Sequence, residues 1–300
     1  MNQNKENKAM KKLYFGMLLM AGLALTACSS DDNSTEQQAP KTYYMTVDAT
    51  KGVNEAFSRM TRALTLTGST LNASWETTEK VYVQGQLTGG SYFGFENYIQ
   101  PQSVGTTTRL NGTVSLPDGW AYSSIEAATG AHPTLTLQFP RPDEFDYTGQ
   151  EGTLADIAEK YDYATTTIEV VVDNDRIVPY EEKTAVFANQ QAIVKFTLKN
   201  ADGTTLLNPS SLTVRVVGTA PSDPTVEVIV DEVTLSSIPE ATYTTNGNGV
   251  LFVAIPGFSS KKVILTATVG GKTYTFVRSG VTFENGHYDE VDVKMNLKSN

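Results

Sequence analysis

The chain has 300 residues, with 33 acidic against 23 basic side chains, a net charge of −10, one cysteine and two histidines. A net negative chain without a basic patch argues against nucleic acid or anionic lipid as a partner. Roughly 240 to 260 residues remain beyond the leader described next, enough for two domains of ordinary size with their own cores.

Lys5, Lys8, Lys11 and Lys12 form a basic opening stretch, followed by an apolar run from Leu13 to Leu25 and by Thr26-Ala27-Cys28. That is the order of a secretory signal: positive, apolar, then small residues at the cut. The run is about thirteen residues, short of the roughly 20 that cross a bilayer as a helix. Leu25-Thr26-Ala27-Cys28 resembles the lipobox of bacterial lipoproteins. The resemblance implies that the Cys28 sulfur takes a diacylglycerol and that residues 1–27 are removed. Stable anchoring needs two acyl chains or more. Ser29-Ser30-Asp31-Asp32 and the polar stretch to Pro40 read as a tether, the acidic pair resembling the surface-export signal of Bacteroides-type lipoproteins. With Cys28 lipidated, disulfides and thiolate chemistry are excluded from the folded part.

Beyond Pro40 the chain is rich in Thr, Val and Tyr. Tyr43, Met45 and Val47 alternate with polar neighbours, the signature of a short strand. A looser stretch, Lys51 to Thr61, follows. Ala63–Thr67 reads as a strand with Leu64 and Leu66 on one face. Further strands are expected at Val81–Val83, Leu110–Leu116 and Thr134–Phe139, with loops at Gly85, at Gly89-Gly90, and around Pro117, Gly119 and Trp120. One short helix is expected over Thr153–Lys160. Thr153 is its N-cap, Asp156 lies in its first turn, and Leu154, Ile157 and Ala158 share a face.

A second series of strands follows at Thr167–Asp173, Ala185–Phe187, Ala192–Leu198, Leu212–Val217 and Val226–Leu235. It continues at Gly249–Ile255, Val263–Val269, Tyr274–Val277 and Val291–Leu297. Turn signals punctuate the series at Asn200-Ala201-Asp202-Gly203, Asn246-Gly247, Gly270-Gly271 and Asn285-Gly286. Gly270-Gly271 is the strongest hairpin signal, because a tight turn needs positive φ at both central residues. Strands at this spacing predict an all-β sandwich rather than βαβ units, with the two halves divided near Val178-Pro179.

Catalytic groups are scarce. His132 and His287 are far apart and show no metal-ligand spacing. No phosphate-cradling glycine loop opens a helix, and no Gly-x-Ser-x-Gly elbow is present. Asp143, Glu144 and Asp146 cluster beside Phe145 and Tyr147, and two carboxylates suffice for a glycosidase. A solvated loop explains them as well. From Asp173-Asn174-Asp175, a calcium loop would need glycine and glutamate where Val178 and Thr184 stand. Trp75, Trp120 and the tyrosines permit a glycan-binding surface or a sandwich core.

Arg62, in Arg59-Met60-Thr61-Arg62, follows a polar stretch and precedes a strand, where a trypsin-like protease would find an accessible bond; by composition alone a solvated side chain in a linker is the plainer reading. Without the segment up to Arg62 the chain keeps 15 basic and 27 acidic residues, a net charge of −12.

Arg62-Ala63-Leu64-Thr65-Leu66, Leu71-Asn72-Ala73-Ser74-Trp75 and Val81-Tyr82-Val83 together resemble the start of mature fimbrillins, subunits of the protease-assembled (type V) pili of Bacteroidales. Gly152-Thr153-Leu154-Ala155-Asp156-Ile157-Ala158, Tyr161-Asp162-Tyr163-Ala164 and Gln191-Ala192-Ile193-Val194-Lys195-Phe196 extend the resemblance. So does Phe283-Glu284-Asn285-Gly286-His287-Tyr288, running into Val291-Asp292-Val293-Lys294-Met295. The resemblance implies two transthyretin-like β-sandwich domains in tandem, no enzymatic activity and no cofactor. Its division is a signal peptide at 1–27, a tether and propeptide with a removable strand at 28–62, and domains at 63–178 and 179–300. It also implies an outer-membrane lipoprotein precursor, cleavage of Arg62–Ala63 by an arginine-specific protease, and assembly with other pilin subunits by strand insertion into a cell-surface fimbrium serving adhesion. Val291, Val293, Met295 and Leu297 alternate as a donor strand would, and equally as the last strand of a second sandwich would. Ala63–Thr67 is a rival donor or a hinge element. The other reading is a lipid-anchored surface protein that binds glycan or host ligand without polymerising.

Overall fold

A computed structural model describes residues 40–51, 65–67, 70–72, 74–94, 96–139 and 146–298. The described elements begin with β1 (Lys41–Lys51), a small hairpin of β2 (Thr65–Thr67) and β3 (Thr70–Asn72), and then β4 (Val81–Gln86), β5 (Tyr92–Phe93), β6 (Tyr98–Pro101) and β7 (Thr107–Leu116). After α1 (Trp120–Ser123) and α2 (Ile125–Ala128) come β8 (Thr134–Phe139), α3 (Leu154–Lys160), β9 (Ala164–Asp173), β10 (Arg176–Pro179) and β11 (Ala185–Asn189). The rest is β12 (Gln191–Asn200), β13 (Ser211–Ala220), β14 (Asp223–Leu235), α4 (Glu240–Asn246), β15 (Val250–Pro256), β16 (Phe258–Val269), β17 (Lys272–Phe283) and β18 (Tyr288–Leu297).

The all-β expectation holds, and the strands of the first half form one continuous ladder. Its sheet runs β10-β1-β11-β9-β8-β4-β6-β7, and β7 pairs again with β1. The ladder therefore closes into a barrel-like ring, which removes the exposed edges an open sheet would keep. β10 and β11 lie end to end along β1 and share the place between it and β9. Alternation along each strand turns Met45, Val47, Val83, Ile99, Leu110, Val114, Leu135, Leu137 and Val170 into one core, with Trp75 and Trp120 fully buried in it.

The second sheet has the order β14-β13-β16-β17-β18-β12-β15. All seven strands contribute to one core, among them Phe196, Val214, Leu235, Val253, Leu265, Phe283 and Met295. The Gly270-Gly271 hairpin joins β16 to β17, with φ of 54° and 76° and Val269 paired to Lys272. Both glycines hold the positive φ that a two-residue turn requires.

Two expectations need correction. The chain leaves the first sheet at Asn189 and enters the second at Gln191, not near Val178-Pro179. Pro179 ends β10, but a short 3₁₀ turn at Tyr180–Glu182 returns the chain to the same sheet as β11. Helices also number four among the described residues, not one. α1 and α2 have four residues each, too few to show a helical period. They are fixed instead by Gly119 at φ 71° and by Ser124, whose hydroxyl accepts from the Ala127 N–H at 3.2 Å.

α3 forms where the sequence places it. Thr153 Oγ1 accepts the Asp156 N–H at 3.1 Å, and Lys160 meets Asp156 at 2.9 Å. Its Ile157, with Tyr161, packs on Ile193, Phe252, Ala254 and Tyr288 of the second sheet. The helix thus packs on the second sheet, in a cluster separate from the core named above, although β9, which follows it, belongs to the first sheet.

Candidate functional site: the strand that closes the ring

β1 is longer than the Tyr43–Val47 alternation suggests. Ten consecutive residues, Lys41 to Thr50, pair antiparallel with β7, from Leu116 back to Thr107. On its other edge Tyr44 and Met45 pair parallel with Arg176 and Ile177 of β10, and Ala49, Thr50 and Lys51 with Ala185, Val186 and Phe187 of β11. Every second side chain, Tyr43, Met45, Val47, Ala49 and Lys51, is at most 4% exposed. Burying the four apolar ones contributes on the order of 5–8 kcal/mol by area. Removing β1 would reopen the ring, exposing the backbone edges of β7 and of β10–β11 along an apolar groove.

The strand's ends are held differently. At the start, Lys41 meets Asp175 at 3.0 Å, and the Tyr44 N–H donates to the Asp175 carbonyl at 2.7 Å. Asp173-Asn174-Asp175 is thus the β9–β10 turn, with Asn174 in the left-handed region at φ 53°. Midway, the Arg109 guanidinium meets Asp48 at 2.8 Å and holds its carboxyl below the usual range by hydrogen bonding. Both pairs are exposed and add little.

At the far end Lys51 is buried. Its ammonium donates to Glu79 Oε2 and Oε1 at 3.0 and 3.2 Å and to the Ser74 carbonyl at 2.9 Å. It lies 4.0 Å from the Trp75 ring centroid and 5.1 Å from that of Phe139. Trp75 in turn packs on Phe139 and Phe187 at 5.5 and 5.2 Å. Burial outweighs the attraction of Glu79, Asp162 and Glu76 and pushes the Lys51 pKa down to about 8. The sequence by itself puts Lys51 in a loose stretch. The missed signal is phase: Lys51 continues the alternation of Tyr43, Met45, Val47 and Ala49.

Cys28, Arg62 and Ala63 lie outside the described residues, as do Asp143 and Glu144. β18 carries Val291, Val293, Met295 and Leu297 as the chain's own strand between β17 and β12. Val293 and Met295 are fully buried, Val291 half-buried and Leu297 about half exposed. β18 pairs with β12 over eight residues, but with β17 only at Tyr274–Leu297 and Thr275–Asn296. A cleft of about 200 Å³ opens between β17 and β18, lined by Phe276, Val281, Val291 and Val293. The other proposed donor pairs as the small hairpin, Thr65–Thr67 with Thr70–Asn72.

The remaining side chains singled out by sequence do not come together. His132 stacks on Tyr180 at 3.7 Å, and His287 faces Glu284 at 3.3 Å. Asp146 accepts from the Thr148 N–H and hydroxyl within its own turn. Both tryptophans serve the first core, not a surface.

No family model and no curated protein matches the chain. Among solved structures it is similar to a protein from Bacteroides ovatus named for cell adhesion, at 17% identity over 88% of this chain and 97% of that one, with a TM-score of 0.40. It is similar to a fimbrial assembly protein from Parabacteroides distasonis, at 12% identity over 84% and 90%, with a TM-score of 0.37. A third likeness is to the minor pilin of Streptococcus agalactiae, at 9% identity over 86% and 97%, with a TM-score of 0.28.

Proposed function

We propose that this chain is a structural, non-catalytic subunit of a surface fimbrium that serves cell adhesion. It is made as a lipoprotein on Cys28, carried to the outer membrane, and cut after Arg62 by an arginine-specific protease. Its β1 then leaves and is replaced by a strand from a neighbouring pilin subunit. Tandem transthyretin-like units are part of the same reading.

The observation that carries it is the place of β1. One strand closes the ring, bonded along both edges, and Arg62 stands between it and the next strand in the sequence. A cut there separates the closing strand from the body. The vacated groove then offers two unpaired backbone edges and pockets for alternate side chains, the requirements for strand addition. Head-to-tail insertion does not close on itself, so it builds a filament.

The test is the N-terminus of surface material. A free Ala63 supports the subunit, and a blocked Cys28 on all of it supports a lipid-anchored binder that never polymerises. An Arg62→Ala precursor should stay monomeric, and polymerisation at the wild-type rate would end the cleavage model.

A further inference from the structure

We propose that the open mouth of the first ring, at the start of β1, binds an uncharged saccharide against the exposed ring of Tyr122. The pocket stands in the uncut chain, so the inference goes beyond strand exchange and does not depend on it.

Four strand ends meet at that mouth. β1 starts there with Lys41 opposite Leu116, the last residue of β7, and Thr134 at the start of β8 pairs with Glu169 of β9. Among them lies a pocket of about 430 Å³. Its wall includes Lys41 and Tyr43 from β1, Asp118 and Tyr122 beyond β7, His132 ahead of β8, and Asn174 in the β9–β10 turn. The volume falls within the roughly 300–1,000 Å³ of small-molecule sites, for which the mouth of a β-barrel is a recurrent place.

An exposed aromatic side chain is ordinary by itself; Tyr122 differs in having a concavity beside it. Trp120, at the start of α1, is fully buried, while Tyr122 is 88% exposed. Residues two apart on a helix lie about 200° apart around its axis, so anchoring Trp120 in the core turns Tyr122 outward. Charge then narrows the ligand. Lys41 already meets Asp175 at 3.0 Å, and Asp118 lines the same pocket, its Oδ1 accepting the Gly119 N–H at 3.0 Å. An anionic ligand would meet the Asp118 carboxylate and compete with Asp175 for Lys41, and a cationic one would meet Lys41. An apolar ligand would cover these groups without bonding them, which is costly. A neutral sugar ring offers a C–H face to Tyr122 and hydroxyls that both donate and accept, matching Asp118, Asn174 and His132.

The test is an array of neutral, sialylated and sulfated glycans, probed with the uncut full chain. A biotin tag at the C-terminus clusters the chain on streptavidin, so that weak sites add. The chain should bind a set of neutral glycans, and Tyr122→Ala should raise the half-saturating concentration about tenfold or more. A substitution at so exposed a position leaves the fold alone, which an unchanged thermal midpoint checks. Asp118→Ala should weaken the same binding, and Tyr98→Ala, on β6 and outside the pocket, should bind as the wild type does. No neutral glycan bound by the wild type overturns the inference, and so does a Tyr122→Ala chain that binds them equally well. Preference for sialylated or sulfated glycans overturns the uncharged class. None of these results bears on strand exchange, which stands or falls on the N-terminus of surface material.

Discussion

The side chain of Gln150 stands in for a strand beside Ala254. Its Oε1 accepts the Ala254 N–H at 2.8 Å and its Nε2 donates to the Ala254 carbonyl at 2.8 Å, while Nε2 also donates to the Tyr147 carbonyl at 3.1 Å. Two residues on, the Gly152 carbonyl accepts the Phe252 N–H at 2.9 Å. β15 is the edge strand of the second sheet, and this segment covers its open side. It is the same segment that leads into α3, so the connection from β8 to β9 also protects an edge of the second sheet.

Gln150→Ala is expected to cost about 2–4 kcal/mol, because it leaves a buried N–H and C=O on Ala254 without partners. Denaturant unfolding should show the loss, and hydrogen exchange should show it concentrated in β15. Wild-type protection of the Ala254 amide in the variant would refute the edge-covering role. Gly152→Ala should act in the same direction, since φ there is 83° and a Cβ would meet Leu251 Cδ2 at 2.7 Å.

Within β1, phase should govern cost. Met45→Ala, at a fully buried position, is expected to destabilise by about 2–5 kcal/mol. Tyr44→Ala, 46% exposed and pointing outward, should stay within about 0.5 kcal/mol. Met45→Ala should also speed amide exchange in β7 opposite it. Similar losses for the two variants would mean that β1 is not seated as described.

Stability should rise with pH above about 8. Folding lowers the Lys51 pKa from 10.5 to about 8, so between those values the unfolded chain holds a proton that the folded chain has released. The unfolded state binds more protons in that window, and stability therefore increases with pH. The trend should reverse above about 10. Burial raises the pKa values of Tyr43, Tyr147, Tyr161, Tyr163, Tyr243 and Tyr288, so there the folded state holds the extra protons. Melting curves from pH 7 to 10 check this, and Lys51→Met should flatten the rise. A wild-type midpoint that falls between pH 8 and 10 would contradict it.

For β18 the expectation is slow hydrogen exchange at Val293 and Met295 in the uncut monomer, given its eight-residue ladder with β12. Met295→Ala should cost about 2–5 kcal/mol. Exchange as fast as at the chain ends would show a strand held loosely enough to be donated without unfolding the second core.

Much of this architecture is legible in the amino-acid order, because it is local. Alternation marks the strands, Gly270-Gly271 supplies two positive φ angles for a hairpin, and Thr153 with Asp156 starts α3 where a cap and an acidic first turn belong. The pairing of strands is not local. That β1 meets both β7 and β10–β11 depends on backbone edges brought together from 57 to 136 residues away, and no period along the chain encodes it. The same reason hid the site. Lys51 sits in the apolar phase, yet a lysine reads as solvent-facing until its counter-ion is known, and Glu79 lies 28 residues away. Sequence alone thus determined an all-β chain, with a cysteine and an arginine standing where processing is expected. Only the closed ladder decided that the strand ahead of that arginine completes a core and carries a buried cation on its inner phase.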